Sequence, residues 1–396
     1  MKKEVREGYK MTELGEIPED WKIRKLKDIA NICYGKSQKE VEMPNGKYKI
    51  LGTGGIIGYT NDFLWDKPSV LIGRKGTINK PQYIEEPFWT VDTLFYTKIN
   101  KEYVAKWFYY YLNNINLKKY NEATGVPSLS ASNLNSIKII VPTYEEQEKI
   151  VSILSTVDEQ IDNVDALIEK NKELKKGLMQ TLLTKGIGHT KFKKTEIGEI
   201  PEEWEVKKLC AIVDVVSGAT PKTTVNEYWD EGNIYWATPT DITSNGKYIS
   251  KTEKRITEIG LKSCSAKLLP KGSILMSSRA TIGERCINVV PMATNQGFKS
   301  LICKDGTSNQ FIYYYIDILK DKFLLLASGS TFLEISKKVV EDIKVALPST
   351  EEQEKIASIL SDVDKKIEEY ENKKEKLEEL KKGLMQQLLT GKIRVI

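Results

Sequence analysis

Histidine occurs once in the 396 residues, at His189. A site that needs two histidines, catalytic or metal-binding, is therefore excluded, and a place in a linker is enough to account for the one present. Cysteine is almost as sparse. Cys33, Cys210, Cys264, Cys286 and Cys303 are odd in number, widely spaced and free of any C-x-x-C. Neither a disulfide framework nor a structural zinc site is expected from them, and no metal site is assigned. No run approaches the roughly 18 apolar residues that a membrane span requires, and the mean hydropathy is −0.39. The first residues, Met1-Lys-Lys-Glu-Val-Arg-Glu, lack the apolar centre of a signal peptide. A cytoplasmic protein is expected, without a membrane partner.

Catalytic signatures are missing too. Gly52-Thr-Gly-Gly-Ile-Ile-Gly58 has the spacing G-x-G-x-x-x-G rather than that of a dinucleotide loop, and reads as a cluster of tight turns. Gly35-Lys-Ser has Ala30 where a phosphate loop places its first glycine. No N-P-P-Y or D-P-P-Y occurs, which argues against a DNA amino-methyltransferase. Asp20-Trp-Lys22 fits the end of a nuclease-type acid-x-lysine pattern, but the matching stretch later in the chain reads Glu203-Trp-Glu205. An entry strand explains both. The chain is expected to be non-catalytic.

What is present is a duplication. Residues 12–26, TELGEIPEDWKIRKL, return as residues 195–209, TEIGEIPEEWEVKKL. Pro142 followed by Glu145-Glu-Gln-Glu-Lys-Ile150 returns as Pro348 followed by Glu351-Glu-Gln-Glu-Lys-Ile356. Leu174-Lys-Lys-Gly-Leu-Met-Gln returns at Leu380. From residue 145 to 183 there is no proline. Ile150, Leu154, Val157, Ile161 and Val164 step by four and three, as do Ile356, Leu360, Val363, Ile367 and Tyr370. That is a heptad seam on one face of each of two long helices, and these ten residues are the expected helix-pair core. The two seams part where Lys374 and Leu377 answer Ile168 and Asn171, positions that either set register or lie in solvent.

The chain therefore divides into residues 1–144, a first globular domain; 145–183, a first helix; 184–350, a linker and second domain; and 351–396, a second helix and tail. Between the repeated stretches the domains diverge into short strands and Gly, Asn and Pro turns. Each has a strand running into a basic loop, Val70-Leu-Ile-Gly-Arg-Lys-Gly-Thr-Ile and Ile274-Leu-Met-Ser-Ser-Arg-Ala-Thr-Ile. Strands near Val91-Asp-Thr-Leu-Phe and Thr294-Asn-Gln-Gly-Phe follow, then aromatic-rich helices at Lys106-Trp-Phe-Tyr-Tyr-Tyr-Leu and Phe311-Ile-Tyr-Tyr-Tyr-Ile. These aromatics read first as core, with base stacking as the alternative. Net charge is +6 over residues 1–144 (22 basic, 16 acidic) and +4 over 184–350 (23 against 19). It is −4 over 145–183 (5 against 9) and −1 over 351–396 (10 against 11). Globular parts that meet a polyanion would show this, and so would ordinary surface charge.

The combination of the TE-x-GEIPE-x-W stretch with its copy, the two P-x-x-E-E-Q-E-K-I starts and the Leu-Leu-Thr helix ends near Leu183 and Leu389 resembles the specificity subunits of type I restriction–modification enzymes, over essentially the whole chain. The resemblance implies an α+β fold: two similar mixed α/β target-recognition domains alternating with two long helices that pair as an antiparallel coiled coil, an internal pseudo-two-fold repeat. It implies a DNA-binding subunit in which each domain reads one half of a bipartite, asymmetric site in double-stranded DNA. The partners it implies are two modification (methyltransferase) subunits and two ATP-dependent restriction (endonuclease) subunits. S-adenosylmethionine, ATP and Mg belong to those partners, and no cofactor is expected in this chain. Carried onto these loops, the resemblance points to Lys36, Arg74 and Lys75 with Thr124 and Ser128 in the first domain. In the second it points to Lys222, Thr240, Asp241 and Arg279 with Ser330. The alternative reading is a coiled-coil protein-interaction scaffold that does not read DNA.

Overall fold

The repeated TE-x-GEIPE-x-W stretch folds the same way twice. The protein is described by a computed structural model covering residues 5–244, 246–329 and 333–395. It divides into two units. One comprises residues 1–166 and 371–396, the other residues 167–370. Each long helix is thus shared: a unit holds one globular part, the start of the helix that leaves it, and the end of the other.

In the first unit, Tyr9–Thr12 and Gly15–Pro18 form an antiparallel hairpin. Gly15 takes a φ of 108° at its turn, a backbone that suits glycine. The chain passes the buried Trp21 into strand Lys22–Lys25, which pairs with Lys138–Val141 just before the first long helix. A four-stranded sheet has the order Ala30–Tyr34, Leu94–Ile99, Ser69–Gly73, Gln82–Ile84, all antiparallel. A smaller sheet places Tyr48–Gly52 between Gly55–Thr60 and Phe88–Thr90. Helix Ala105–Asn114 buries Trp107, Phe108, Tyr110 and Tyr111, so its aromatics are core, as expected from the sequence.

The second unit repeats the plan. Hairpin Phe192–Thr195/Gly198–Pro201 turns on Gly198 at φ 112°, and Glu205–Lys208 pairs with Lys344–Leu347. Its main sheet has one strand more, in the order Val213–Ser217, Lys299–Cys303, Ile274–Met276, Arg285–Asn288, Tyr248–Ile249. A three-stranded sheet places Ile234–Ala237 between Lys254–Ile256 and Met292–Thr294. The aromatic helix is longer, Asn309–Leu326.

The long helices run Tyr144–Lys185 and Thr350–Leu388. Both begin with a glutamate pair that suits the positive end of the helix dipole. Both dock through the same three side chains. Trp21 Nε1 donates to Glu146 at 2.7 Å, and Trp204 Nε1 to Glu352 at 2.9 Å. Gln147 accepts from Val104 N–H and donates to Pro142 O; Gln353 does the same with Ser308 and Pro348. Tyr110 and Tyr314 each donate to an aspartate, Asp158 and Asp364, at 2.6 Å. The E-E-Q motif and the tryptophan recur together because they form one joint between helix and domain.

The expected helix seam has two kinds of neighbour. Ile150 and Leu154 join the core of their own domain, with Trp107 and Phe108, and also meet Met385, Leu388 and Leu389. Ile356 and Leu360 do the same with Phe311 and Tyr314 and with Leu182 and Leu183. Val157, Val164 and Val363 are buried, whereas Ile161, Ile367 and Tyr370 are half-buried. The first two seam positions of each helix therefore lie in a domain core that also takes in the end of the other long helix. A heptad pattern marks the face that is covered, not what covers it.

Within the first unit, Asp158 pairs with Lys381 at 2.5 Å and Asp165 with Lys374 at 2.7 Å. Seven residues forward on one helix match seven back on the other, which is antiparallel. Lys374, one of the two positions where the seams differ, is thus used in an ion pair. In the second unit Lys175 pairs with Asp364 at 2.6 Å.

Candidate nucleic-acid interface

In the first unit, strand Ser69–Gly73 opens into a loop that its neighbours hold by backbone bonds. Arg74 N–H donates to Thr93 O at 2.8 Å, Gly76 N–H to Pro127 O at 2.9 Å, and Leu129 N–H to Arg74 O at 2.9 Å. Lys75 bridges to Ser128. Residues 74–77, 92–93 and 124–128 are thereby one surface. The chain at Gly35 runs against it so closely that a Cβ there would collide with the Val91 carbonyl. Lys36 is pinned on both sides, N–H to Thr90 O at 2.8 Å and O from Trp89 Nε1 at 3.0 Å, while its side chain is exposed. Arg74 donates to Asp92 O at 3.0 Å and lies over the exposed ring of Tyr34. Asn121 Oδ1 accepts from Ala123 and Ser128 N–H, shaping the loop that exposes Thr124. Lys36, Arg74, Lys75, Thr124 and Ser128 are all brought together.

The second unit builds the same surface with other side chains. Ser278 N–H donates to Gly297 O at 2.7 Å and Ile335 N–H to Ser278 O at 3.0 Å. Gly218 is wedged against Asn295, and Ala219 is pinned by Thr294 O and by Trp236 Nε1, as Lys36 is in the first unit. Ala280 has a φ of 54° where Gly76 has 87°. Arg279 differs from its counterpart Lys75, because Glu334 binds it at 2.8 Å and also takes Lys299 at 3.2 Å. Burial raises the Glu334 carboxyl, but Arg279 and Lys299 outweigh it and hold the group below the usual carboxylate range.

Lys222 is exposed, and its carbonyl accepts from Trp229 Nε1 at 3.1 Å. Thr240 is exposed on the short helix Pro239–Ser244. Asp241 is a correction. It is buried and accepts from Thr238 N–H and Oγ1 and from Glu253 N–H, so it shapes a turn instead of facing a ligand. Ser330 lies outside the described residues.

Three residues that reasoning from sequence passed over sit on these surfaces. Tyr34 is 54% exposed beside Arg74. Gln296 is exposed and accepts from Thr220 Oγ1. Glu334 controls two cations. The matched stretches at Val91 and Thr294 carried the signal for Gln296, since they border the loops in both units. Nothing in sequence pairs Glu334 with Arg279.

A DNA reader needs cations for phosphates and a few donors and acceptors for base edges, held on rigid supports. These loops offer both. The family model for the type I restriction modification DNA specificity domain matches residues 18–175 and again residues 201–379. The type I restriction enzyme MjaVIII specificity subunit of Methanocaldococcus jannaschii is 31% identical, over 98% of this chain and 96% of that one. The MjaIX specificity subunit of the same organism is 42% identical over 48% of this chain and 45% of that one. The crystal structure of a type I restriction–modification S subunit from M. genitalium has the same fold, with a TM-score of 0.62 and 20% identity over 93% of this chain and 96% of that one. Two matches to one family model, each spanning a globular part and most of a long helix, coincide with the duplication seen in sequence and in structure, and the chain belongs to the type I restriction modification DNA specificity family.

Proposed function

We propose that this chain is the subunit that reads DNA sequence for a type I restriction–modification enzyme, each unit recognising one half of a bipartite site. The observation that carries this is a pair of loop surfaces on one shared frame, with different side chains at matching positions. A frame kept constant positions the reader, and differing side chains let the halves read different bases. Lys36, Arg74 and Lys75 would meet DNA in the first unit, with Thr124 and Ser128 beside them. Lys222, Thr240 and Gln296 would do so in the second, and Arg279 once Glu334 yields it. Backbone phosphates take lysine and arginine; Gln296 has the chemistry for adenine.

The two long helices are the proposed spacer. Taken along one helix, 39 residues at 1.5 Å give about 58 Å, more than the roughly 34 Å of one DNA turn. Two modification and two restriction subunits would assemble on this scaffold and supply S-adenosylmethionine, ATP and Mg chemistry, which this chain lacks motifs to perform itself.

Salt dependence tests DNA reading. With about six phosphates engaged, the log–log slope of affinity against salt is near −5. Mapping methylated bases in a host that carries the chain with its partners gives both half-sites. A flat salt slope with no preference among sequences leaves the protein-only scaffold instead. Inserting one heptad into residues 145–183 alone tests the spacer, because it mismatches the helices and impairs assembly or half-site spacing.

A further inference from the structure

Among the described residues, the outer edge of the main sheet is closed in the second unit and open in the first. In the second, strand Tyr248–Ile249 lies parallel to Arg285–Asn288. Ile287 N–H donates to Lys247 O at 2.8 Å and Val289 N–H to Ile249 O at 3.0 Å. Ile249 is fully buried. The Lys247 ammonium enters a cage formed by the aromatic helix and the second long helix: it donates to Tyr314 Oη at 2.9 Å and Ser361 Oγ at 3.3 Å, and stands 4.4 Å from the Tyr314 ring centroid. The segment is thus a short strand anchored by a lysine.

The first unit has the same edge and the same cage. Tyr83 faces Val70 as Ile287 faces Ile274, and Val70 and Ile274 are matching positions of the repeat. Tyr110, Ser155 and Asp158 stand where Tyr314, Ser361 and Asp364 do, with Tyr110 Oη 2.6 Å from Asp158 and 3.3 Å from Ser155. Lys381 pairs with Asp158 as Lys175 pairs with Asp364, so that ion pair does not preclude a second cation. Among the described residues, no strand covers the outer side of Gln82–Ile84. Instead a cavity of about 730 Å³ opens beside it, whose lining includes Tyr110, Asp158 and Asp162 together with Lys106, Lys381 and Lys382. A second, of about 620 Å³, lies along Gln82, Ile84 and Leu71.

We propose that the Gln82–Ile84 edge of the first unit receives an extended segment of a partner protein, with a lysine seated against Tyr110 and Ser155 and an apolar residue two positions on. The occupant is specified by the second unit's own Lys247-Tyr248-Ile249. Backbone pairing to an open edge gives affinity and the side-chain cage gives selectivity. The lysine is favoured by the aromatic face and by the two hydroxyls, which leave its ammonium partnered rather than stranded.

The test uses the full chain and the peptide Gly-Lys-Tyr-Ile-Ser-Lys, the sequence of residues 246–251. Amide hydrogen exchange reads where it binds, and titration reads how tightly. The expected result is protection confined to residues 82–86, with binding about tenfold weaker when norleucine replaces the first lysine of the peptide. Tyr83→Pro, which removes an edge N–H, abolishes that protection. The peptide series leaves the protein untouched, so the result does not hang on a variant folding. Equal binding of the norleucine peptide, protection elsewhere, or no binding at millimolar peptide overturns the proposal. So does protection of 82–86 that grows with the concentration of the chain alone, which assigns the edge to a second copy. None of these outcomes bears on DNA reading.

Discussion

The two units share a frame and differ in how they close it. The start of the first long helix is locked by Arg394, from the tail: its guanidinium meets Glu146 at 2.9 Å and Asp20 at 2.6 Å. The second helix is locked by His189, from the linker, whose Nε2 meets Glu352 at 2.9 Å while Nδ1 lies 3.7 Å from Glu203. A glutamate already bonded by tryptophan is thus given a second partner in each unit, from unrelated stretches of chain and by different chemistry. The requirement belongs to the joint: a carboxylate buried to take an indole N–H needs a compensating cation or donor. Duplication preserved that demand and left the supply free to vary.

The largest expected difference lies at Arg285. It is buried in the second unit, grips Asp317 through two nitrogens at 2.9 and 2.5 Å, and also donates to the Tyr313 carbonyl. The first unit has Asn113 where Asp317 stands. Arg285→Ala should destabilise the second unit by about 3 kcal/mol, because it strands Asp317, and leave exchange rates in the first unit unchanged. Burial pushes the Asp317 carboxyl up, but Arg285 and Lys320 outweigh it and hold it below its ordinary value. A depressed carboxylate adds stability above its unfolded pKa and loses it as pH falls through the folded one. The wild-type advantage over Arg285→Ala should therefore shrink on acidification below about pH 4.

Arg394→Ala should cost about 2 kcal/mol, read by exchange at the start of the first long helix. His189→Ala should cost less, about 1 kcal/mol, since a weaker partner is removed. Equal losses would mean that guanidinium and imidazole are interchangeable at this joint.

The paired loops give a smaller contrast. Gly76 and Ala280 share a left-handed backbone, which penalises a side chain. Gly76→Ala should destabilise by about 1 kcal/mol, and Ala280→Gly should stabilise by about 0.5 kcal/mol after the added freedom of the unfolded chain is counted. Thermal unfolding checks both signs.

A contrast that depends on pH concerns Lys247. Burial lowers its pKa to about 8, against the pull of Asp364. Between pH 8 and 10 the unfolded chain holds a proton there that the folded chain releases, so wild type should gain stability relative to Lys247→Met across that window. A difference in melting temperature that does not change with pH would contradict the caged ammonium.

The sequence alone carried the duplication, both long helices and the role of the aromatic helices as core, because periodicity and repetition are local properties. The strands at residues 137–141 and 343–347 were legible for the same reason. So was the basic loop, since a strand entering an Arg-Lys-Gly turn is a contiguous pattern. Asp241 misled because an acidic side chain in a turn looks the same whether it caps its own backbone or faces solvent. Tertiary structure alone decided which cations are engaged. Glu334 reaches Arg279 across 55 residues of chain, and Arg394 reaches Asp20 from the opposite terminus. It alone decided that the seam residues Ile150 and Ile356 join a domain core that also includes the end of the other long helix. It also decided that, among the described residues, one sheet edge is covered and its twin is not, since three residues of strand carry no mark that they will pair. Side-chain type fixes what a residue can bond, and only the fold fixes what stands within reach.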